Sequence, residues 1–117
     1  MWRSASCGFI LLTALLIPVL ANAQYGWDAL DVGLTDADID LAQSAARERM
    51  DGQPVGTVIE WENPATGAYG TVELVRLYER DTMGCREVMH HFHSESEGNG
   101  ELLSRICLTP DGWKFDD

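Results

Sequence analysis

The chain has 117 residues, 45% of them hydrophobic and 23% charged, which suits one small globular domain and leaves no room for two. Eight lysines and arginines stand against 19 aspartates and glutamates, a formal net charge of −11, so nucleic acid and anionic lipid headgroups are repelled as partners. Four tryptophans, three tyrosines and three phenylalanines along the chain argue against disorder.

Residues 1–23 read as an export signal: one cation at Arg3, an apolar run from Gly8 to Leu20, then Ala21-Asn22-Ala23 as a small-residue cleavage site. The run is broken by Pro18 and falls short of the roughly 20 apolar residues of a membrane span. Cys7 lies before the run, where it cannot serve as a lipidation site. Cleavage between Ala23 and Gln24 removes Arg3 and makes the mature chain more acidic still. It also leaves an even pair, Cys85 and Cys107, in an oxidising compartment, where a disulfide is the default. Closing a loop of about 22 residues contributes roughly 3 kcal/mol in the chain-entropy model.

A short leader, residues 24–33, carries Tyr25 and Trp27. Leu34-Thr35-Asp36-Ala37-Asp38-Ile39 then has the marks of a helix start, with Thr35 as N-cap, Asp38 reaching back from the third position and Leu34 with Ile39 as a hydrophobic staple. The helix is predicted to run to about Met50, with Ile39, Ala42, Ala46 and Met50 as its apolar stripe and Gly52 and Pro54 ending it. From there the pattern turns to β. Strands are expected over Val55 to Glu62, Ala68 to Arg80, Cys85 to His93 and Glu101 to Leu108. Asn63-Pro64-Ala65-Thr66-Gly67, Asp81-Thr82-Met83-Gly84 and Ser94 to Gly100 are the turns, short enough to make neighbours antiparallel.

If Cys85 faces Cys107, the register places Glu87 opposite Arg105, Met89 opposite Leu103 and His91 opposite Glu101 on one face. Val88, His90 and Phe92 then meet Ser104, Leu102 and Gly100 on the other. Trp113 starts a final short strand or covers an edge. The expected architecture is α+β: one N-terminal helix packed on an antiparallel sheet of about four strands, stapled by one disulfide. The second face is left partly open to solvent or a partner.

Val58-Ile59-Glu60-Trp61-Glu62-Asn63-Pro64-Ala65-Thr66-Gly67, then Gly84-Cys85-Arg86-Glu87, Ile106-Cys107 and Asp111-Gly112-Trp113 follow one another in an order that resembles the C-terminal domain of the rickettsial seventeen-kilodalton surface antigens. That family's pattern has a Trp-x-Asn-Pro-x-Thr-Gly-x-x-Gly hairpin, a Cys-Arg pair and a second Cys ahead of a Trp-bearing ending. Trp61, Asn63, Pro64, Thr66, Gly67 and Gly70 fill the hairpin, and Cys85, Arg86, Cys107, Gly112 and Trp113 the rest. The likeness covers about residues 34–117. It implies an envelope-associated protein and no known reaction. Members often carry a lipobox cysteine and a glycine-rich membrane-inserting segment, and neither pattern occurs here, so the expectation shifts toward a periplasmic or secreted form.

Met89-His90-His91-Phe92-His93 is the most chemical-looking stretch. On a strand His91 and His93 share a face with Glu101 opposite, a candidate two-histidine, one-carboxylate metal set; the reading preferred is imidazoles on a solvated face. Asp36, Asp38 and Asp40 have the opening spacing of a calcium loop, but Leu41 and Arg47 stand where glycine and glutamate are required, so they read as acids at a helix N-terminus. Ser94, Ser96 and Ser104 come without a nucleophile motif, Glu60 and Glu62 read as plain surface, and no glycine-rich phosphate loop is present. Trp61, Tyr69, Tyr78 and Trp113 read as core or sheet-edge packing unless an uncovered face gathers them.

The functional expectation is a non-enzymatic protein of the periplasm or outer surface that acts by binding or structural association. No cofactor is expected, and the partner is another envelope protein or ligand. The alternatives are a metal-binding or hydrolytic protein using His91, His93 and Glu101, and an inhibitor or chaperone-like partner of an envelope protein. Intact mass spectrometry of the exported, non-reduced protein should give a chain starting at Gln24 and two hydrogens lighter than the dithiol; two free thiols would contradict the bridge.

Overall fold

The computed structural model describes residues 32–116, which fall within one compact unit, Asp31–Asp117. The expected signal peptide, the Ala23–Gln24 cleavage point and all but the last two residues of the leader lie outside the described residues. Helix α1 spans Asp36–Ser44 and is followed by a π-helical turn, Ala45–Arg49. Five strands follow: β1 (Val58–Asn63), β2 (Ala68–Arg80), β3 (Met83–Ser94), β4 (Gly98–Thr109) and β5 (Gly112–Phe115). They form one antiparallel sheet in the order β1-β2-β3-β4-β5. The fold is α+β as expected, with five strands rather than four: Gly112, at φ 108°, lets the chain reverse after Thr109 and pair Trp113 with Leu108 and Phe115 with Ile106.

The start of α1 follows its residues. Thr35 accepts from the Asp38 backbone at 3.2 Å while Asp38 Oδ2 accepts from the Thr35 backbone at 2.9 Å, a reciprocal capping box. Asp38, Ala42, Ala45, Ala46 and Met50 are buried. Three alanines on the inner side let the helix lie close on β1 and β2, against which it packs. The end differs from expectation, since the predicted α-helix to Met50 becomes a π-helical turn after Ser44. There Arg86 of β3, nearly buried, donates through Nη1 to the carbonyls of Ala46 (3.0 Å) and Arg47 (3.3 Å). The widened turn presents two carbonyls to one guanidinium from the sheet.

Three strand boundaries shift. β1 begins at Val58, because Pro54 to Thr57 forms a turn closed by Thr57 N–H to the Pro54 carbonyl. β3 begins at Met83, because Asp81 (φ 51°) and Thr82 (φ 67°) make the whole reversal and leave Gly84 in the strand. The β3–β4 turn contracts to Glu95–Glu97, and β4 starts at Gly98.

The β3–β4 register is the one expected throughout, from Cys85↔Cys107 and Glu87↔Arg105 to His91↔Glu101 and Phe92↔Gly100. Cys85 and Cys107 form the disulfide. Between β2 and β3 a bulge at Leu74/Arg76 shifts the pairing by one residue. On the helix side, one cross-sheet row alternates aromatic and glycine: Trp61, Gly70, Phe92 and Gly100 are successive partners. A β-carbon on Gly70 would meet the His91 carbonyl at 2.3 Å and Trp61 Nε1 at 2.9 Å, and one on Gly100 would meet the Phe92 ring at 2.5 Å. Both glycines are therefore the space into which a neighbouring ring leans.

His90 lies in this layer with Val72, Leu74 and Val88, and burial, with a smaller push from His91, lowers its pKa from 6.5 to about 4. The folded state thus refuses a proton that the unfolded chain accepts, so the stability is fully present above pH 6.5 and lost as pH falls through about 4. Urea unfolding should show a loss of about 2 kcal/mol from about pH 7 to about pH 5, and a His90→Leu variant should be flat over that window. An equally sloping His90→Leu profile would place the acid sensitivity elsewhere.

Candidate functional site

The two faces of the sheet carry different chemistry because successive strand residues alternate. The helix side holds two polar fastenings. At the helix N-terminus, the Asp38 carboxylate, 1% exposed, accepts from Asn63 Nδ2 and from Thr66 Oγ1, both at 2.7 Å. Asn63 ends β1 and Thr66 lies in the turn that leads to β2. Asn63 also folds that turn, its carbonyl accepting from the backbones of Thr66 (3.1 Å) and Gly67 (2.8 Å), and Gly67 takes φ 78°. Burial works to raise the Asp38 pKa, but the hydrogen bonds from Thr35, Thr66 and Asn63 outweigh it and hold the carboxyl below the ordinary aspartate value. At the far end Arg86 takes the two helix carbonyls, pairs with exposed Asp51 at 3.4 Å and lies 4.3 Å from the Trp113 ring centroid.

The other face has two halves. Around the disulfide, Glu87 bridges Arg105 (2.7 Å) and Arg76 (3.6 Å), and Arg76 lies over Tyr78 at 4.3 Å. The Arg105 hydrogen bond is the main reason that the Glu87 carboxyl is held low. Tyr78 donates to Asp116 at 2.6 Å; burial first, then that hydrogen bond, raises its pKa. Asp116 also pairs with Arg80. These groups pair with one another, while Arg76, Arg80 and Arg105 stay about half exposed.

The remaining half is a shallow trough of about 490 Å³ across β2, β3 and β4, lined by Tyr69, Thr71, His91, His93, Asn99 and Glu101. Register explains the set: Tyr69, His93 and Asn99 form one cross-strand row, Thr71, His91 and Glu101 the next. Tyr69 is 53% exposed, and its ring stacks on His93 at 4.9 Å between centroids and 21° between planes. His93 Nδ1 meets Asn99 Oδ1 at 2.8 Å; with the amide oxygen accepting, the ring donates from Nδ1. His91 Nδ1 lies 3.4 Å from Glu101 Oε2, and both side chains are more than half exposed.

The predicted trio is thus brought to one face but not to one point. His91 turns to Glu101, while His93 is engaged by Tyr69 and Asn99. Among the described residues, three such ligand atoms come within 4.8 Å of one another at Cys85, Cys107 and Asp116, where both sulfurs are committed to the disulfide. Asn99 was read from sequence as part of the Ser94–Gly100 turn, and because β4 starts at Gly98 it is instead the strand partner of His93. The place of Tyr69 was not legible, because the bulge in β2 hides its partner. Asp38, read from sequence as the capping acid of the helix start, also fastens the helix to the β1–β2 turn, and Arg86, read only as the neighbour of Cys85, fastens its far end. Ser94 and Ser96 lie at the β3–β4 turn, with Ser94 Oγ donating to the Val32 carbonyl at 2.7 Å. No described helix is long and apolar enough to cross a membrane.

No family model matches the chain, and no solved structure matches it. Curated proteins do. A 17 kDa surface antigen of Rickettsia bellii (strain RML369-C) is 32% identical over 84 residues, covering 71% of this chain and 52% of that protein. One of Rickettsia montanensis is 31% identical over 86 residues, covering 68% and 52%. One of Rickettsia canadensis is 36% identical over 50 residues, covering 43% and 62%. The chain spans about half the length of the first two relatives. Over that shared span, the chain belongs to the 17 kDa surface antigen family.

Proposed function

We propose that this protein is a non-enzymatic component of the bacterial envelope that acts by binding through the uncovered face of its sheet. The observation that carries the reading is the division of the two faces. One carries the helix over β1 and β2, with Leu77 and Leu108 left half-exposed beyond it, while the other keeps Tyr69, His91 and Glu101 half-exposed on strands. Relatives named as surface antigens support the envelope location, as does the N-terminal segment that reads as an export signal. The shallow, open form of the trough suits surface recognition better than chemistry that must exclude water.

Photo-crosslinking residues at positions 69 and 101, with one at position 40 on the exposed side of the helix, test this in the native cell. The expected outcome is recovery in the envelope fraction with adducts from positions 69 and 101 only. Recovery in the cytosol, or adducts independent of position, would overturn the reading.

A further inference from the structure

Resting on that reading, we propose that the trough is a carbohydrate subsite that takes uncharged pyranose units of an oligosaccharide. A sugar in water offers a flat C–H face and a rim of hydroxyls, each both donor and acceptor. Its recognition needs an exposed aromatic plane beside polar groups of mixed character. The trough supplies both. Tyr69 is a large ring left 53% exposed on a β-strand, and it is held by its stack on His93, which Asn99 fixes in turn. A platform fixed in this way loses little freedom when a ligand arrives.

The polar rim is mixed. Among the described residues the Asn99 amide nitrogen makes no hydrogen bond while its oxygen is taken by His93, so its two N–H groups are donors in reserve. Glu101 keeps acceptor sites beyond its His91 contact, and the Thr71 hydroxyl can do either. Among the described residues neither Lys nor Arg lines the trough, and Glu101 stands in it. A phosphorylated, sulfated or carboxylated glycan would therefore meet repulsion, as it would from the chain as a whole with its net charge of −11. The volume of about 490 Å³ and the open ends suit one or two rings within a longer chain. A resident metal fits less well, since the three candidate ligands do not converge.

The test is a titration of the full mature chain with cellotetraose and with chitotetraose, followed by amide resonances. Saturable shifts at residues 69, 93 and 99 with at least one of them, weakened about tenfold or more in Tyr69→Ala, are expected. A His93→Ala variant serves the same purpose should Tyr69→Ala melt early. Tetragalacturonate, the carboxylated control, should bind at least about tenfold more weakly. Absence of shifts with either neutral sugar at about 10 mM, shifts that map elsewhere, or shifts that survive both variants would overturn the proposal. Equal binding of tetragalacturonate would overturn it too, as would a one-equivalent response to Zn²⁺ without one to sugar. Each of these results leaves the envelope crosslinks from positions 69 and 101 standing or falling on their own.

Discussion

The fold rests on how one short helix is held to one sheet. Asp38 at its start and Arg86 at its end are opposite charges, buried and reached from opposite directions: Asn63 and Thr66 of a turn grip the helix's carboxylate, and a strand's guanidinium grips the helix's carbonyls. Each also answers a helix-end requirement, because the N-terminal amides favour an acid and the C-terminal carbonyls favour a cation. A buried charge is tolerated only when its hydrogen bonds are complete. Asp38 has them from Thr35, Asn63 and Thr66. Arg86 has two carbonyls, Asp51 and the Trp113 ring.

The helix needs such fastening because its inner face is made of alanines. Ala42, Ala45 and Ala46 permit close approach but bury little apolar area, so Met50, Val72, Leu74, Val88 and the rings of Trp61 and Phe92 supply the larger buried side chains. The alternating row of Trp61, Gly70, Phe92 and Gly100 completes this layer by letting aromatic rings lean over neighbouring strands. The adjacent pair Cys85-Arg86 works on both sides of the sheet at once. Strand alternation sends the cysteine to the disulfide on one face and the arginine to the helix on the other.

Much of this was legible in the residues. The capping box of Thr35 and Asp38, the turn chemistry of Asn63 to Gly67 and the β3–β4 register all follow from local rules, the last because one covalent pair sets every other. The fifth strand was glimpsed only as a possibility for Trp113, since four residues carry too little pattern to separate a strand from an edge cover. The partners of Asp38 lie 25 and 28 residues away, and those of Arg86 lie 39 and 40 away, so no periodicity announces them. The stack of Tyr69 on His93 was hidden for a related reason. Pairing of β2 with β3 is offset by a bulge, and counting back from the Asp81-Thr82 turn places residues beyond it on the wrong face. Family resemblance pointed to Trp61, Gly70 and Arg86 without a reason; the fold supplies one, the aromatic–glycine row for the first two and the helix carbonyls for the third.

A sheet that carries the helix on one side and the exposed Tyr69, His91 and Glu101 on the other separates stability from recognition, and the helix fastenings make that separation possible. The most direct measurement of this account is native-state hydrogen exchange on the Asp38→Ala variant. Amides of residues 39–50 should lose protection by local opening while those of β3 and β4 keep the protection of the global fold. Equal loss in helix and strands, or no loss in the helix, would contradict the claim that the carboxylate holds the helix in place.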